Sequence, residues 1–146
     1  MRVYLMGSLR NQQVPLIGNA IRDLGFDDVF DDWFGGGPEA DDCWQKYEQT
    51  RQRSYREALY DRYATHIWEF DKRYLDKADI GVLVLPAGKS GHIELGYLAG
   101  QGKLTYVLFD GDLADDARWD VMYRFATSVC FSLDDLLTEL GRLVRK

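Results

Sequence analysis

The chain has 146 residues, the composition of an ordinary soluble globular protein and a formal net charge of −6. This acidic surplus, with no basic stripe, argues against a nucleic-acid polymer as partner. Cys43 and Cys130 are too few and too far apart for a disulfide framework or a zinc site. We expect one domain over residues 1–146. No secretory, membrane-spanning or lipidation signal is recognisable, so we also expect a cytoplasmic protein without membrane contact.

The first half of the chain predicts a strand, a helix, a short strand and a long helical region. The apolar run Arg2–Met6 predicts an internal strand, and Gly7-Ser8 then turns the chain. The next elements are a helix over Val14–Leu24 stopped by Gly25, a strand at Val29-Phe30, a loop over Asp31–Cys43, and helices over Trp44–Ala64 and His66–Lys77. The loop is predicted because regular structure tolerates Gly35-Gly36-Gly37-Pro38 poorly.

The second half continues the alternation of strands and helices. The predicted elements are strand Ile80–Leu85, a helix from Gly91 to about Gln101, strand Thr105–Phe109, loop Asp110–Arg118, strand Ser128–Phe131 and a helix capped by Ser132. Such alternation is typical of a parallel sheet covered on both faces. The fold class predicted is therefore α/β, a flavodoxin-like open sheet of about five strands with helices on both faces.

A Gly-rich loop follows the strand Ile80–Leu85 and leads directly into a helix. Its triplet Gly88-Lys89-Ser90 is not a P-loop, because Leu83 stands where that motif needs its first glycine. Ligands of open α/β sheets bind at the carboxyl ends of the strands, and the amides that open a helix can face an anion or a sugar hydroxyl. We assign to substrate binding the loop residues Gly88, Lys89, Ser90 and Gly91, together with Gly7 and Ser8 after the first strand.

Glu94 lies in the first turns of the helix that follows this loop. A carboxylate there can simply complement the helix dipole. Two further residues favour chemistry instead: Tyr4 carries a hydroxyl inside an apolar strand, and Asp71 precedes the next strand–helix unit. A carboxylate pair beside a tyrosine suits glycosidic bond cleavage, in which one carboxylate attacks the anomeric carbon and the other handles the leaving group's proton.

Other candidates are weaker. The aromatic residues Trp33, Phe34, Trp44 and Trp68 can stack on a nucleobase or can simply pack in the core, and we assign Trp33 to substrate binding. We expect His92 to be a solvated loop residue that does not tune Glu94. Nothing in the sequence requires a metal or an organic cofactor.

The chain resembles the nucleoside 2-deoxyribosyltransferase family, which includes related nucleoside 5′-monophosphate N-glycosidases. The matching stretches run in family order over most of the chain: Val3-Tyr4-Leu5, Asp71 with Leu75 and Ala78-Asp79, Gly91-His92-Ile93-Glu94-Leu95-Gly96-Tyr97 with Gly102-Lys103, and Asp120-Val121-Met122. The resemblance implies that Glu94 is the nucleophile, that Asp71 handles the base's proton and that Tyr4 positions the nucleophile. It also implies that Asp120 and Met122 close the sugar pocket of a neighbouring subunit.

Two departures from the family pattern concern the substrate. Gly88 stands where the transferases commonly have an aspartate that contacts the base, which leaves the base specificity open. Asp120 replaces an asparagine, and a carboxylate there would repel a 5′-phosphate at close range. Lys89 and Ser90 instead favour a phosphate, so both the nucleoside and the 5′-monophosphate remain candidates.

These observations predict a transferase that moves a 2-deoxyribosyl group from a nucleoside to a free nucleobase through a covalent bond to Glu94. One alternative is a nucleoside 5′-monophosphate N-glycosidase, in which water is the acceptor. The other is a domain that binds nucleotides without turnover. The expected partners are these small molecules and further copies of the chain, in a homo-oligomer of at least two subunits with shared sites. The alternative to an intersubunit role for the region near Asp120 is that Trp119, Met122 and Phe125 form a helical stripe that packs on their own sheet.

Overall fold

Five parallel strands form one sheet in this computed structural model, which describes residues 1–145. The strands are β1 (Arg2–Met6), β2 (Asp28–Phe30), β3 (Ile80–Val84), β4 (Leu104–Leu108) and β5 (Ser128–Cys130). Their spatial order is β2-β1-β3-β4-β5. This is the flavodoxin-like order, so the predicted fold class is confirmed.

Helices cover both faces of the sheet. They are α1 (Gln13–Asp23), α2 (Ala40–Thr50), α3 (Tyr55–Leu59), α4 (Arg62–Lys77), α5 (Lys89–Gly100) and α6 (Leu133–Val144), with short 3-10 helices at Asp32–Gly36 and Val121–Phe125. Apolar residues of α1 and α6 form one core cluster with the sheet, and those of α4 and α5 form the other.

The alternation of side chains along β1 decides which residues face the helices α4 and α5. Val3 and Leu5 belong to the cluster with α1 and α6, whereas Tyr4 and Met6 belong to the cluster with α4 and α5. All four side chains are buried. Tyr4 therefore presents its ring to the same layer that carries Asp71 on α4 and Glu94 on α5.

The strand order also locates a crevice. β1 lies between β2 and β3, so the chain leaves β1 toward one edge of the sheet and leaves β3 toward the other. Open α/β sheets bind their ligands at such a switch point, outside the carboxyl ends of the two strands. Here that place is framed by the loop after β1, which begins at Gly7, and by the loop Leu85–Gly88 after β3.

Most predicted elements lie within a few residues of those in the structure. Gly25 ends α1 with a φ of 104°, and the Ser132 hydroxyl caps α6 by accepting a hydrogen bond from the Asp135 amide at 3.1 Å. The α5 helix begins at Lys89 rather than at Gly91. Residues Lys89 and Ser90 are therefore in its first turn.

One loop prediction and one helix prediction were wrong. The region Asp31–Cys43 is not all loop, because a 3-10 helix spans Asp32–Gly36 and α2 begins at Ala40. The region Trp44–Ala64 is not one helix, because α2 ends at Thr50, Gln52 adopts a φ of 60°, and α3 starts after Ser54. The Ser54 hydroxyl and the Glu57 carboxylate form a capping box that starts the new helix.

Candidate active site

Tyr4 is a buried phenol at the centre of the candidate site. Its ring stacks on Phe30 of the neighbouring strand, with ring centroids 5.1 Å apart. Burial raises the pKa of Tyr4, and the carboxylates of Glu94 and Asp71 raise it further. The Tyr4 hydroxyl therefore stays protonated and lies near enough to the Glu94 carboxylate to donate a hydrogen bond to it.

Asp71 is brought to this place by the aromatic residues beside it on α4. Phe70 and Tyr74 flank it in sequence, and both pack on Phe30, with ring centroids 5.8 and 4.1 Å from that ring. The Asp71 side chain is half-buried among these groups, and burial raises its pKa to about 6. A carboxylic acid with this pKa can hold a proton near neutrality, as an acid catalyst must.

Glu94 is the second half-buried carboxyl, one turn into α5. Burial raises its pKa to about 7, the Tyr4 hydrogen bond opposes this rise, and the charge of Asp71 adds to it. Two carboxylates and a phenol thus lie close enough for their charges to act on one another. Functional sites are where burial and neighbouring like charges shift carboxyl pKa values in this way.

Near neutral pH the two carboxyls hold about one proton between them. Their pKa values of about 7 and about 6 bracket the range in which one is charged and the other is neutral. The higher pKa of Glu94 leaves this proton mainly on Glu94 in the free protein and leaves Asp71 mainly charged. Tyr4 favours the charged form of Glu94, because its hydroxyl donates to that carboxylate.

Gly91 allows α5 to approach the ends of β1 and β3. A Cβ added at Gly91 would lie 2.9 Å from Leu83 Cδ1 and 3.6 Å from the backbone nitrogen of Gly7. Gly7 in turn lies close to Trp33, since a Cβ added at Gly7 would be 3.6 Å from the indole ring. The Trp33 Nε1–H donates to the Leu5 carbonyl at 2.8 Å, and its ring packs at the edge of both core clusters.

The remaining loop residues predicted to bind substrate surround this point. Gly88, Lys89 and Ser90 are exposed at the start of α5. Ser8 is half-buried after β1, where its hydroxyl accepts from the Arg10 amide at 3.1 Å. The structure thus brings together Tyr4, Asp71, Glu94, Gly7, Ser8, Trp33 and Gly88–Gly91 at the carboxyl ends of β1 and β3.

His92 is exposed, as expected from the sequence, but it lies on a helix and not in a loop. It lies within α5, and its ring nitrogens are 2.7 Å from the Gly88 carbonyl oxygen and 2.9 Å from the Tyr123 hydroxyl. The sequence analysis did not single out Tyr123. Tyr123 lies in an apolar 3-10 helix, and nothing in the surrounding sequence indicates a hydrogen bond to His92, which is 31 positions away in the chain.

Asp120 and Met122 lie apart from the carboxyl pair, on what we call segment 119–125. The Asp120 carboxylate caps the 3-10 helix by accepting from the Met122 amide at 2.8 Å. The alternative that these residues pack on their own sheet was wrong, because Trp119, Met122 and Phe125 are 69, 63 and 75% exposed. The segment touches the candidate site through Tyr123 and His92.

Two surface depressions of the molecule lie outside the candidate active site. A depression of about 400 Å³ beside Leu24 and α6, and a smaller one beside Arg2 and Tyr74, are lined by none of Tyr4, Asp71 and Glu94. Over residues 1–145, no three side chains of the His, Cys, Asp or Glu type are grouped so that they could hold a metal ion. Within the same residues, no helix combines the length and apolar character needed to span a bilayer.

Comparison with known proteins yields no match, either among family models or among curated sequences. The feature that bears most directly on function is the grouping of Tyr4, Asp71 and Glu94 at the switch point of the sheet.

Proposed function

We propose that this protein cleaves the N-glycosidic bond of a nucleoside and transfers the 2-deoxyribosyl group to a second nucleobase. The observation that carries the proposal is the half-buried pair Asp71 and Glu94, which shares about one proton beside the Tyr4 hydroxyl. Glycoside chemistry of the retaining kind needs one carboxylate as nucleophile and one carboxylic acid beside it. The position at the carboxyl ends of β1 and β3 suits a small ligand.

In the first step, a Glu94 carboxylate oxygen attacks C1′ and the bond between C1′ and the base nitrogen breaks. The bonding electron pair leaves with the base, which takes the proton held by Asp71. Tyr4 donates to the other oxygen of Glu94 and holds the carboxylate in place. The product is a glycosyl ester of Glu94 and a free base.

In the second step, a nitrogen of the incoming base attacks C1′ and the ester bond to Glu94 breaks. The electron pair returns to the carboxylate, and the proton from the incoming base passes to Asp71. Two inversions at C1′ retain the original configuration. This scheme needs no metal or organic cofactor, since the leaving base is activated by protonation.

A nucleoside 5′-monophosphate N-glycosidase is the second candidate. It is favoured by Lys89 and Ser90, which are exposed in the first turn of α5, where backbone amides and the helix dipole attract an anion. In that case water takes the sugar in the second step, and Asp71 accepts the proton of the attacking water. A purely binding domain is disfavoured, because binding alone does not need a half-buried carboxyl pair with raised pKa values, which is typical of catalytic sites.

One panel experiment separates these candidates. Purified protein is incubated with nucleosides and with 5′-monophosphates, each with and without a second free base, and the products are separated by chromatography. A transferase forms the new nucleoside when the second base is present, whereas a glycosidase releases base and sugar phosphate without it. Glu94→Gln is the matched control, because it keeps the size of the side chain and removes the nucleophile. A folded wild type that converts no member of the panel would contradict the proposal.

A further inference from the structure

His92 connects the loop before α5 to segment 119–125. Its Nδ1 lies 2.7 Å from the Gly88 carbonyl oxygen and its Nε2 lies 2.9 Å from the Tyr123 hydroxyl oxygen. A carbonyl oxygen can only accept a hydrogen bond, so Nδ1 carries a proton. In the neutral ring Nε2 then accepts from the Tyr123 hydroxyl. The imidazole thus links two pieces of chain that are far apart in sequence.

Tyr123 is the inward-facing residue of this segment. It is half-buried, and its ring meets the edge of Phe109 with centroids 5.4 Å apart. By contrast, Val121, Met122 and Phe125 on the same 3-10 helix are largely exposed. The segment is therefore held to the rest of the chain through Tyr123, whose polar end meets His92.

His92 does not act on Glu94 through its charge. His92 and Glu94 are two residues apart on α5, so their side chains are separated by about 200° around the helix axis and point in nearly opposite directions. The pKa of Glu94 is set by burial, Tyr4 and Asp71, with no contribution from His92. Any effect of His92 on the reaction must therefore come from the parts of the chain that it holds in place.

We propose that His92 and Tyr123 are a positioning pair that fixes segment 119–125 against the loop ending at Gly88, and that this arrangement sets the affinity for substrate. Gly88 has open space around it, since a Cβ there would meet no atom within 4 Å. The loop therefore has little packing at this point, and the His92 hydrogen bond restrains it. The effect on substrate affinity rests on the proposed function, whereas the fixing of segment 119–125 by His92 and Tyr123 does not.

Two variants remove the contact with little change in shape. His92→Asn keeps a donor near the position of Nδ1 and loses the group that meets Tyr123, and Tyr123→Phe keeps the ring and loses the hydroxyl. Because one hydrogen bond is lost, we expect each variant to raise KM about fivefold with little change in kcat. The double variant should resemble the single ones, since both changes remove the same contact.

The matched controls are His66→Asn and Tyr60→Phe, which make the same exchanges at exposed residues outside the site. Both should keep the wild-type KM. Unchanged KM in His92→Asn and Tyr123→Phe, or additive effects in the double variant, would overturn the claim about affinity. A loss confined to kcat would overturn it as well, because a positioning role predicts a change in binding.

A second readout does not need activity. Arg118 and Arg124 are exposed trypsin sites at the ends of segment 119–125. If the pair docks this segment, both variants should be cut there about fivefold faster than wild type at unchanged melting temperature. Equal cleavage rates would overturn the proposal whatever the activity. An inactive wild type would refute the proposed function, while faster cleavage of both variants would still support the pair.

Discussion

The pKa values of Tyr4, Asp71 and Glu94 are raised by burial more than by the charges of one another. Burial is the largest cause of the raised pKa at each of the three residues. Tyr4 favours the charged form of Glu94, but the pKa of Glu94, about 7, still lies above that of Asp71, about 6, so the proton must pass from Glu94 to Asp71 before Glu94 can act as the nucleophile. Asp71 receives no such stabilisation of its charge, and its raised pKa follows from burial alone.

Asp71→Asn tests the acid role. The variant cannot protonate the departing base, so turnover should fall by about 10²–10⁴-fold for bases that leave poorly as anions. Activated bases that leave without a proton should be affected much less. The measurement is kcat/KM over a series of substrates that differ in leaving-group basicity. Equal losses across the series would instead make Asp71 a residue that only positions the sugar.

The pH dependence of turnover follows from the same two carboxyls. Below about pH 6 both are protonated and Glu94 is a poor nucleophile, whereas above about pH 7 both are charged and no proton is available for the base. The profile of kcat/KM should therefore be bell-shaped, with its maximum between these values. Activated bases, which leave without a proton, should show no alkaline limb, either in wild type or in Asp71→Asn. A flat profile from pH 5 to pH 9 would contradict the shared-proton account.

At the scale of elements, the site depends on how α4 and α5 are fixed to each other and to the sheet. The Tyr97 hydroxyl on α5 donates to Asp76 on α4 at 2.6 Å, and Lys103 Nζ donates to the Asp76 carbonyl at 2.7 Å. These bonds join the two helices beyond the carboxyl pair, on the side of their carboxyl ends. The helix that carries Asp71 and the helix that carries Glu94 therefore hold a defined separation.

The sequence predicted the strands better than the long helical region. Apolar runs such as Ile80–Val84 are long, uniform and bounded by turns, so each marks a buried strand. The break between α2 and α3 was missed because charged and aromatic residues continue through it. A local signal was present, however, in the Ser54 and Glu57 spacing of a capping box. The contact of His92 with Tyr123 had no local signal, because it depends on tertiary packing.

Two glycines of α5 give a matched test of how closely the helix must approach the sheet. Gly91→Ala should destabilise the protein and reduce turnover, because the new Cβ would lie 2.9 Å from Leu83 Cδ1. Gly96→Ala, in open space on the same helix, should instead raise the free energy of unfolding by about 0.5–1 kcal/mol. Denaturant unfolding and initial rates measure both. Equal stability changes would contradict the close approach at Gly91.

At the scale of the whole molecule, a single chain leaves two aromatic surfaces uncovered. One is segment 119–125, and the other lies on α4, where Tyr63, Ile67, Trp68 and Tyr74 are exposed. Apolar surfaces of this kind usually mark interfaces, and aromatic residues and Met are enriched there. The homo-oligomer in which Asp120 and Met122 complete a neighbour's site remains a proposal, and these exposed surfaces favour it.

Shared sites can be tested by mixing inactive subunits. Glu94→Ala and Asp120→Ala proteins should each lack activity alone, and mixed assemblies should regain about a quarter of it, since some sites then hold both native residues. Subunit exchange is confirmed independently by mass spectrometry of the mixed assembly. Wild type mixed with Glu94→Ala serves as the control for dilution. No recovery despite exchange would place Asp120 outside a neighbour's site.

The sequence located the candidate carboxyls but not their protonation. Glu94 and Tyr4 stood out because a carboxylate and a phenol occurred where apolar residues or a simple cap were expected. The raised pKa values of Asp71 and Glu94 depend on burial between α4, α5 and β1, which no spacing in the sequence reveals. The exposure of Trp119 and Met122, by contrast, was expected from the sequence, because they follow a polar loop in a dense apolar cluster, and both are exposed in the structure.

The covalent intermediate is the most direct test of the central claim. A nucleoside with fluorine at C2′ destabilises the positive charge that develops at C1′, which slows formation and breakdown of the ester and lets it accumulate. We expect the intact mass of the wild type to rise by one fluorinated sugar residue, and peptide mapping to place it on Glu94. Glu94→Gln should show no such addition. Turnover of the parent nucleoside without any adduct, or an adduct on another residue, would contradict the account.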